Sequence, residues 1–283
     1  MSTTGKPPIG LVGLGMMGRP AAELLAADGY PTFAHDLDTA LLDEVAAAGV
    51  VAAEGLRDLA ERCDVVLVMV PSDQDVLDVC TGPGGLLEGA LRGSVLVICS
   101  SVTPETCRTL AVTAEPKGVD VLDAALTGGV RAAEAGTINL LVGGDAAVLD
   151  RIRPALAPWT GTVHHLGGLG AGQVGKTVNN LCHWGQLSAI VEALRLGRAL
   201  GVEPTLLREA LLDSPVASRT LAEMQLMKLT WHAKDLANAF RMAQTVDHEL
   251  PVAHVVQEAM EHITVEDIAD LYTPRRPDGD ASR

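Results

Sequence analysis

Ile9-Gly10-Leu11-Val12-Gly13-Leu14-Gly15-Met16-Met17-Gly18 is the stretch that decides the fold. Ile9 to Val12 reads as a short buried strand, and Arg19 to Ala27 as a helix closed by Gly29. Thr32 to His35 reads as a second strand ending at Asp36, 23 residues after Gly13. Strand, G-x-G-x-x-G, helix, strand and acid stand in the order that a dinucleotide-binding fingerprint requires. The first glycine permits a tight turn, the second lets a pyrophosphate approach the backbone, and the third lets helix and strand pack closely. Gly13, Leu14, Gly15, Met16, Met17 and Gly18 are therefore the expected cofactor contacts, with the helix start presenting free N–H groups to the phosphates. A carboxylate at Asp36 accepts hydrogen bonds from ribose hydroxyls and repels a 2′-phosphate. Leu37 and Asp38 supply no arginine for such a phosphate, so the expected cofactor is NAD. The plainer alternative is that Asp36 caps the following helix.

Outward from this unit the alternation continues. Asp64 to Val70 is an apolar run that ends in Pro71-Ser72-Asp73. Ser94 to Cys99 ends in Ser100-Ser101-Val102-Thr103-Pro104, and Val119 to Asp123 is a third run. In open α/β sheets the ligand lies beyond the carboxyl ends of the strands. Val70, Pro71, Ser100 and Ser101 are thus expected cofactor or substrate walls. Ile138 to Val142 and Thr162 to His165 read as further strands. The fold class is α/β: a Rossmann-type doubly wound sheet over residues 1–166, followed by an all-α domain over 167–283.

The second domain starts where the composition changes, near 165–172. Strand signals fade and long helical patterns take over at about 173–200, 204–213, 216–228, 233–248 and 251–262. The polar stretch 273–283 is expected to fray. No internal repeat, low-complexity tract or heptad run is present. The glycine-rich turn Gly170 to Gly175 runs into the first helix, where Lys176 and Asn180 share one face, one turn apart. A lysine and a carboxamide so placed can hold a small polar ligand. The plainer reading is an exposed lysine and a satisfied core asparagine.

Composition narrows the partners. The chain has 283 residues, enough for two domains, and 48% of them are hydrophobic. Aromatics are only 2%, which leaves no stacking surface for single-stranded nucleic acid. The net charge is −15, from 21 basic and 36 acidic residues, which argues against nucleic acid or an anionic membrane as partner. The five cysteines (Cys63, Cys80, Cys99, Cys107, Cys182) form no C-x-x-C pair and read as reduced, cytoplasmic thiols. No signal peptide frames the N-terminal run, and no uncharged stretch reaches the roughly 20 residues that span a bilayer.

Four motifs in order resemble the β-hydroxyacid dehydrogenase family, the group with 3-hydroxyisobutyrate dehydrogenase and tartronate semialdehyde reductase, over about residues 8 to 262. Gly10 to Pro20 resembles its cofactor fingerprint. Asp123-Ala124-Ala125-Leu126-Thr127-Gly128-Gly129, running on to Gly136-Thr137, resembles its substrate-binding segment. Gly170 to Asn180 resembles its catalytic segment, and Lys234-Asp235-Leu236 a later cofactor-side motif. The resemblance implies Lys176 as catalytic lysine with Asn180 as its partner, Thr127, Gly128 and Gly129 on the substrate carboxylate, and Lys234 at the cofactor. The family usually has proline and serine where this chain has Ala125 and Thr127. An aspartate often stands where this chain has Ile98, and Ala132 replaces a usual glycine.

Oxidising an alcohol with NAD needs a hydride acceptor, a base and anchors. Lys176 is the candidate base in the matched segment. A solvated lysine titrates near ~10.4, and burial under the cofactor lowers that value. Protonated, it can instead donate in reduction or stabilise the developing alkoxide. His183, seven residues after Lys176, either lines the pocket or is a satisfied interface histidine. Arg131 either clamps an anionic substrate or is solvated. His164-His165 reads as the end of an edge strand rather than a metal pair, and His232, His248, His254 and His262 lack ligand spacing. No metal is expected. The expected assembly is a homodimer or homotetramer, since the helix from Gln173 is too apolar to stand alone. Two alternatives stand beside the dehydrogenase reading. An imine reductase usually places aspartate or tyrosine at the Lys176 position, and an inactive nucleotide-binding interaction module tends to lose the lysine.

Overall fold

Runs of valine, leucine and isoleucine make strands here because both of their faces are covered by helices. The computed structural model describes residues 5–273, and the remainder of the 273–283 tail expected to fray lies outside them. The chain divides into two compact units, Met1–Lys176 and Thr177–Arg283. The division falls inside a helix, later than the change of composition at 165–172.

In the first unit β1 (Ile9–Val12), α1 (Gly18–Ala27), β2 (Thr32–His35) and α2 (Thr39–Ala46) come first. The two-residue β3 (Val51–Ala52), α3 (Leu56–Arg62), β4 (Val65–Val68), α4 (Asp73–Thr81), α5 (Leu86–Gly89) and β5 (Val95–Ile98) follow. Then come α6 (Pro104–Ala114), β6 (Asp120–Thr127), α7 (Gly129–Glu134), β7 (Ile138–Gly143), α8 (Ala146–Leu156) and β8 (Thr160–Gly167). They build one eight-stranded sheet in the order β3-β2-β1-β4-β5-β6-β7-β8. Every neighbouring pair is parallel except β6 and β7.

The strand period sorts the side chains onto two cores. Ile9, Leu11, Val65, Leu67, Val95 and Val97 face one, with Leu25 of α1 and Leu149 of α8. Val12, Val66, Val68, Leu96 and Ile98 face the other, with Leu59 of α3 and Leu110 of α6. Gly10 belongs to this second face: a Cβ there would lie 2.7 Å from Leu59, so its absence lets α3 sit down on the sheet. The strand order reverses between β1 and β4, and the crevice beyond their carboxyl ends is where such sheets bind ligands.

The second unit is helical among its described residues. It takes most of α9 (Ala171–Ala199), then α10 (Pro204–Leu212), α11 (Arg219–Glu223), α12 (His232–Gln244), α13 (Pro251–Met260) and α14 (Val265–Leu271). Trp184, Leu187, Val191 and Leu194 repeat at helical spacing along α9 and pack on Leu221, Leu236, Val256 and Ile268. The helix expected over 216–228 is shorter, because Ser218 caps it at Leu221 and a 3₁₀ turn over Met224–Leu226 follows. All five cysteines are free, with Cys182 exposed and the other four buried. Burial pushes the Cys63 and Cys80 thiols up to about 12. No helix among the described residues is long and apolar enough to cross a membrane.

Candidate active site

The loop between β1 and α1 has three glycines with three different physical reasons. Gly13 has φ +93°, and its N–H donates to the His35 carbonyl at 3.0 Å. A Cβ on Gly13 would stand 2.5 Å from the Met69 carbonyl oxygen, and one on Gly18 would stand 2.0 Å from the Gly13 carbonyl oxygen. Gly15 differs, because a Cβ there would meet nothing within 4 Å. Gly13 and Gly18 therefore let the chain pack on itself, whereas Gly15 keeps the outer side of the loop open. No side chain caps α1 at Met17, so the helix start is available to an anion from outside.

Asp36 directly follows β2 and bonds this loop. One carboxylate oxygen accepts from the Leu14 N–H at 2.6 Å and the other from the Asp38 N–H at 2.8 Å. Each oxygen keeps a further lone pair for a ribose hydroxyl. The helix that follows is capped by Asp38, whose side chain accepts from Ala40 N–H; this removes the plainer reading of Asp36. Leu37 beside it is 96% exposed. An open glycine, an uncapped helix start and a carboxylate at the ribose position fit a nicotinamide dinucleotide.

The strand ends form the next wall. Val70 N–H donates to the Ser100 hydroxyl at 2.8 Å, and that hydroxyl reaches the Val68 carbonyl at 3.3 Å. Ser100 is buried and spends its hydroxyl on lacing β4 to β5, which leaves Ser101, half-buried, as the next hydroxyl in the loop. Pro71 is exposed beside Val70. At the end of β6, Thr127 donates its hydroxyl hydrogen to the Asn139 carbonyl at 3.3 Å. Gly128 and Gly129 follow with φ of +116° and +74°, turning the chain into α7. A Cβ on Gly128 would lie 2.8 Å from that of Ala132, whereas the space beside Gly129 is open. Arg131 on α7 is exposed.

The start of α9 is the most heavily tied point of the unit. Asp123, fully buried in β6, accepts from the N–H of Gly170 at 2.6 Å and of Gln173 at 2.8 Å. Burial pushes this carboxyl above its ordinary range, against the pull of the N–H donors at its edge. Gln173 spends both ends of its carboxamide: the oxygen accepts from Val102 N–H at 3.1 Å, and the nitrogen donates to the Ser100 carbonyl at 2.9 Å. A Cβ on Gly172 would lie 2.2 Å from the Leu141 carbonyl oxygen, and one on Gly175 2.4 Å from Leu166. Gly172 lets the helix meet the backbone of β7, and Gly175 leaves room for the Leu166 side chain of β8.

Lys176, half-buried, closes the first unit three residues beyond Gln173. Asn180 lies one turn on, buried, and its carbonyl accepts from the Asn179 amide at 3.0 Å. In the second unit the His183 Nδ1 is 2.9 Å from the Thr220 hydroxyl, and its ring lies against Trp184. Trp184 in turn donates to Asp235 at 3.0 Å, which seats the first turn of α12, where Lys234 is exposed. A cavity of about 480 Å³ between α12 and α13, lined by Phe240, Asp247, His248, Glu249 and His254 among others, holds none of the expected site residues. Among the described residues no group of three or more His, Cys, Asp and Glu side chains could hold a metal. His165 is 2.8 Å from the Gly144 carbonyl.

Two residues to which sequence reasoning gave no role of their own are Asp123, noted as a strand end and as the first residue of the segment resembling the substrate-binding motif, and Gln173, noted as a helix start. The signal was present: a carboxylate inside an apolar strand run must find donors, and a helix start is a ready source of them.

Comparison with known proteins bears on the same segments. Residues 8–167 match the family described as the NAD binding domain of 6-phosphogluconate dehydrogenase. Residues 170–271 match that described as the NAD-binding of NADP-dependent 3-hydroxyisobutyrate dehydrogenase. The chain is 36% identical to the 2-(hydroxymethyl)glutarate dehydrogenase of Eubacterium barkeri, over 83% of this chain and 77% of that one. It is 33% identical to the NAD-dependent L-serine dehydrogenase of Pseudomonas aeruginosa, over 89% and 85%. The 3-hydroxyisobutyrate dehydrogenase of Mycobacterium tuberculosis, solved with L-serine, superposes with a TM-score of 0.84 at 25% identity, over 95% of this chain and 100% of that one.

Proposed function

The chain belongs to the β-hydroxyacid dehydrogenase family, and we propose that it interconverts a small 2-(hydroxymethyl) acid and its semialdehyde with NAD, using Lys176 to handle the proton. It is an oxidoreductase of this family, acting on a CH–OH group with a nicotinamide cofactor. When bound, the nicotinamide supplies the hydride acceptor for oxidation and the hydride donor for reduction.

The residues divide the remaining work. The Gly13 to Gly18 loop and the start of α1 hold the pyrophosphate, and Asp36 holds the ribose hydroxyls and turns away a 2′-phosphate. Val70, Pro71 and Lys234 complete the cofactor contacts, with the Ser100 backbone in support. In oxidation Lys176 takes the hydroxyl proton, and in reduction it returns a proton to the carbonyl oxygen. Asn180 orients the reacting oxygen, and His183 borders the substrate. Thr127 already gives its hydroxyl hydrogen to Asn139, so the N–H groups of Gly128 and Gly129, with Ser101, anchor the carboxylate.

The observation that carries this reading is the anchored helix start: Gln173, three residues before Lys176, bonds the Ser100 carbonyl of a loop laced to the ends of β4 and β5. The substrate class rests on the relatives' names. 2-(Hydroxymethyl)glutarate, L-serine and 3-hydroxyisobutyrate share a CH₂OH on the carbon that bears the carboxylate. Following NADH formation over a panel of three- to six-carbon hydroxyacids tests it. Turnover confined to acids with that CH₂OH group is expected, and turnover on none of them overturns the assignment.

The protein assembles as a dimer or tetramer through α9, whose Val174, Val178 and Leu196 are exposed apolar side chains. Light scattering at micromolar concentration should show at least a dimer; a monomer contradicts this. The free cysteines agree with a reducing compartment such as the cytoplasm.

A further inference from the structure

We propose that Gln173 is a positioning residue for proton transfer: it clamps the main chain on both sides of Ser101 and thereby sets Lys176, without touching substrate itself. The proposal rests on Lys176 as the proton-handling group. Gln173 is 1% exposed. Its carboxamide bonds the Ser100 carbonyl and the Val102 N–H, so Ser101 lies between two fixed points. Ser100 is itself pinned through its hydroxyl to Val68 and Val70. The backbone of Gln173 is held from the other side by Asp123 of β6. The ends of β4 and β5 and the middle of β6 therefore converge on one residue of α9.

Residues three apart on a helix share a face. Lys176 stands three residues beyond Gln173, so the face that Gln173 turns to the Ser100–Val102 loop is also the face of Lys176. A leucine would fill the same buried space without needing two partners. The carboxamide adds direction: it fixes the rotation of the helix about its axis and the height of the loop together. Those two quantities decide how far the Lys176 amine lies from a hydroxyl held beside Ser101. Proton transfer is sensitive to such placement, and about 1 Å of error can cost on the order of 100-fold.

The test compares Gln173→Leu in the wild-type and Lys176→Met backgrounds. In the wild-type background kcat should fall about 10- to 100-fold. The pH midpoint of kcat should move, and NAD affinity by calorimetry should stay within about twofold, since the Gly13 loop is untouched. In the Lys176→Met background the same change should cost little further, because Gln173 acts through Lys176. A role in folding alone lowers the thermal midpoint and costs the same factor in both backgrounds, and that result overturns the proposal, as does a wild-type kcat with an unshifted pH profile. If Gln173→Leu does not fold, Gln173→Glu carries the same comparison, because it keeps the acceptor for Val102 and loses the donor to Ser100. Should Lys176→Met itself keep wild-type turnover, the Lys176 reading fails first, and this outcome is separate from the loss of the Gln173 effect alone.

Discussion

The pattern G-x-G-x-x-G occurs at Gly13 to Gly18 and again at Gly170 to Gly175. Both copies turn the chain into a helix, yet they do opposite things. In the first, the middle glycine faces open space. In the second, a Cβ on the middle glycine would lie 2.2 Å from the Leu141 carbonyl oxygen and 2.7 Å from the Asp123 carboxylate. Each helix start meets an anion, as its dipole and free N–H groups favour. For α1 the anion comes with the cofactor. For α9 the chain supplies its own, Asp123, and uses it to fix the helix. One spacing of glycines thus serves ligand approach in one place and internal packing in the other. What surrounds the middle glycine separates the two.

The largest effect should come from the helix that the second triplet anchors. Lys176→Met should lower kcat by about 10²–10⁴-fold, the usual contribution of general acid–base catalysis. NAD affinity by calorimetry should change little, since the first triplet is intact. The two middle glycines then break the comparison directly. Gly172→Ala forces a methyl against backbone and should destabilise the protein by about 1–3 kcal/mol with or without NAD, read as the urea midpoint. Gly15→Ala should leave that midpoint of the free protein within error and weaken NAD by about tenfold. If both variants behave alike in both assays, the distinction between the two turns is wrong. The smallest effect concerns which cofactor enters the open turn. Asp36→Ala with Leu37→Arg should move the kcat/KM ratio toward NADP, because it removes the repulsion of a 2′-phosphate and adds a partner for it. An unchanged ratio would place the discrimination elsewhere.

The parallel strands were legible because their apolar runs face helices on both sides, and the first triplet because strand, acid and spacing surround it. The second triplet was legible as a turn but not as a clamp. Asp123 and Gln173 are 50 residues apart, and no local pattern ties a strand carboxylate to a distant helix start. β6 runs on to Thr127, past the expected end at Asp123, because Ala124 to Leu126 pair antiparallel with Leu140 to Val142. The two-residue β3 lies at an exposed edge and has too few side chains to show a period. α12 ends at Gln244, short of 248, and Asp247 just beyond takes φ +50°. α14 left a readable sign in the reciprocal bonds of Thr264 and Asp267, a capping box of the T-x-x-D form.

The cysteines have a practical consequence. Four thiols are buried, and burial holds each of them in the protonated form that alkylating reagents attack slowly. Cys182 alone is exposed, and it sits on α9, six residues beyond Lys176. A maleimide fluorophore on the wild-type protein thus reacts at one position, and its rate of labelling reads whether assembly through α9 covers that stretch of the helix. The dye would report from the part of α9 that belongs to the second unit.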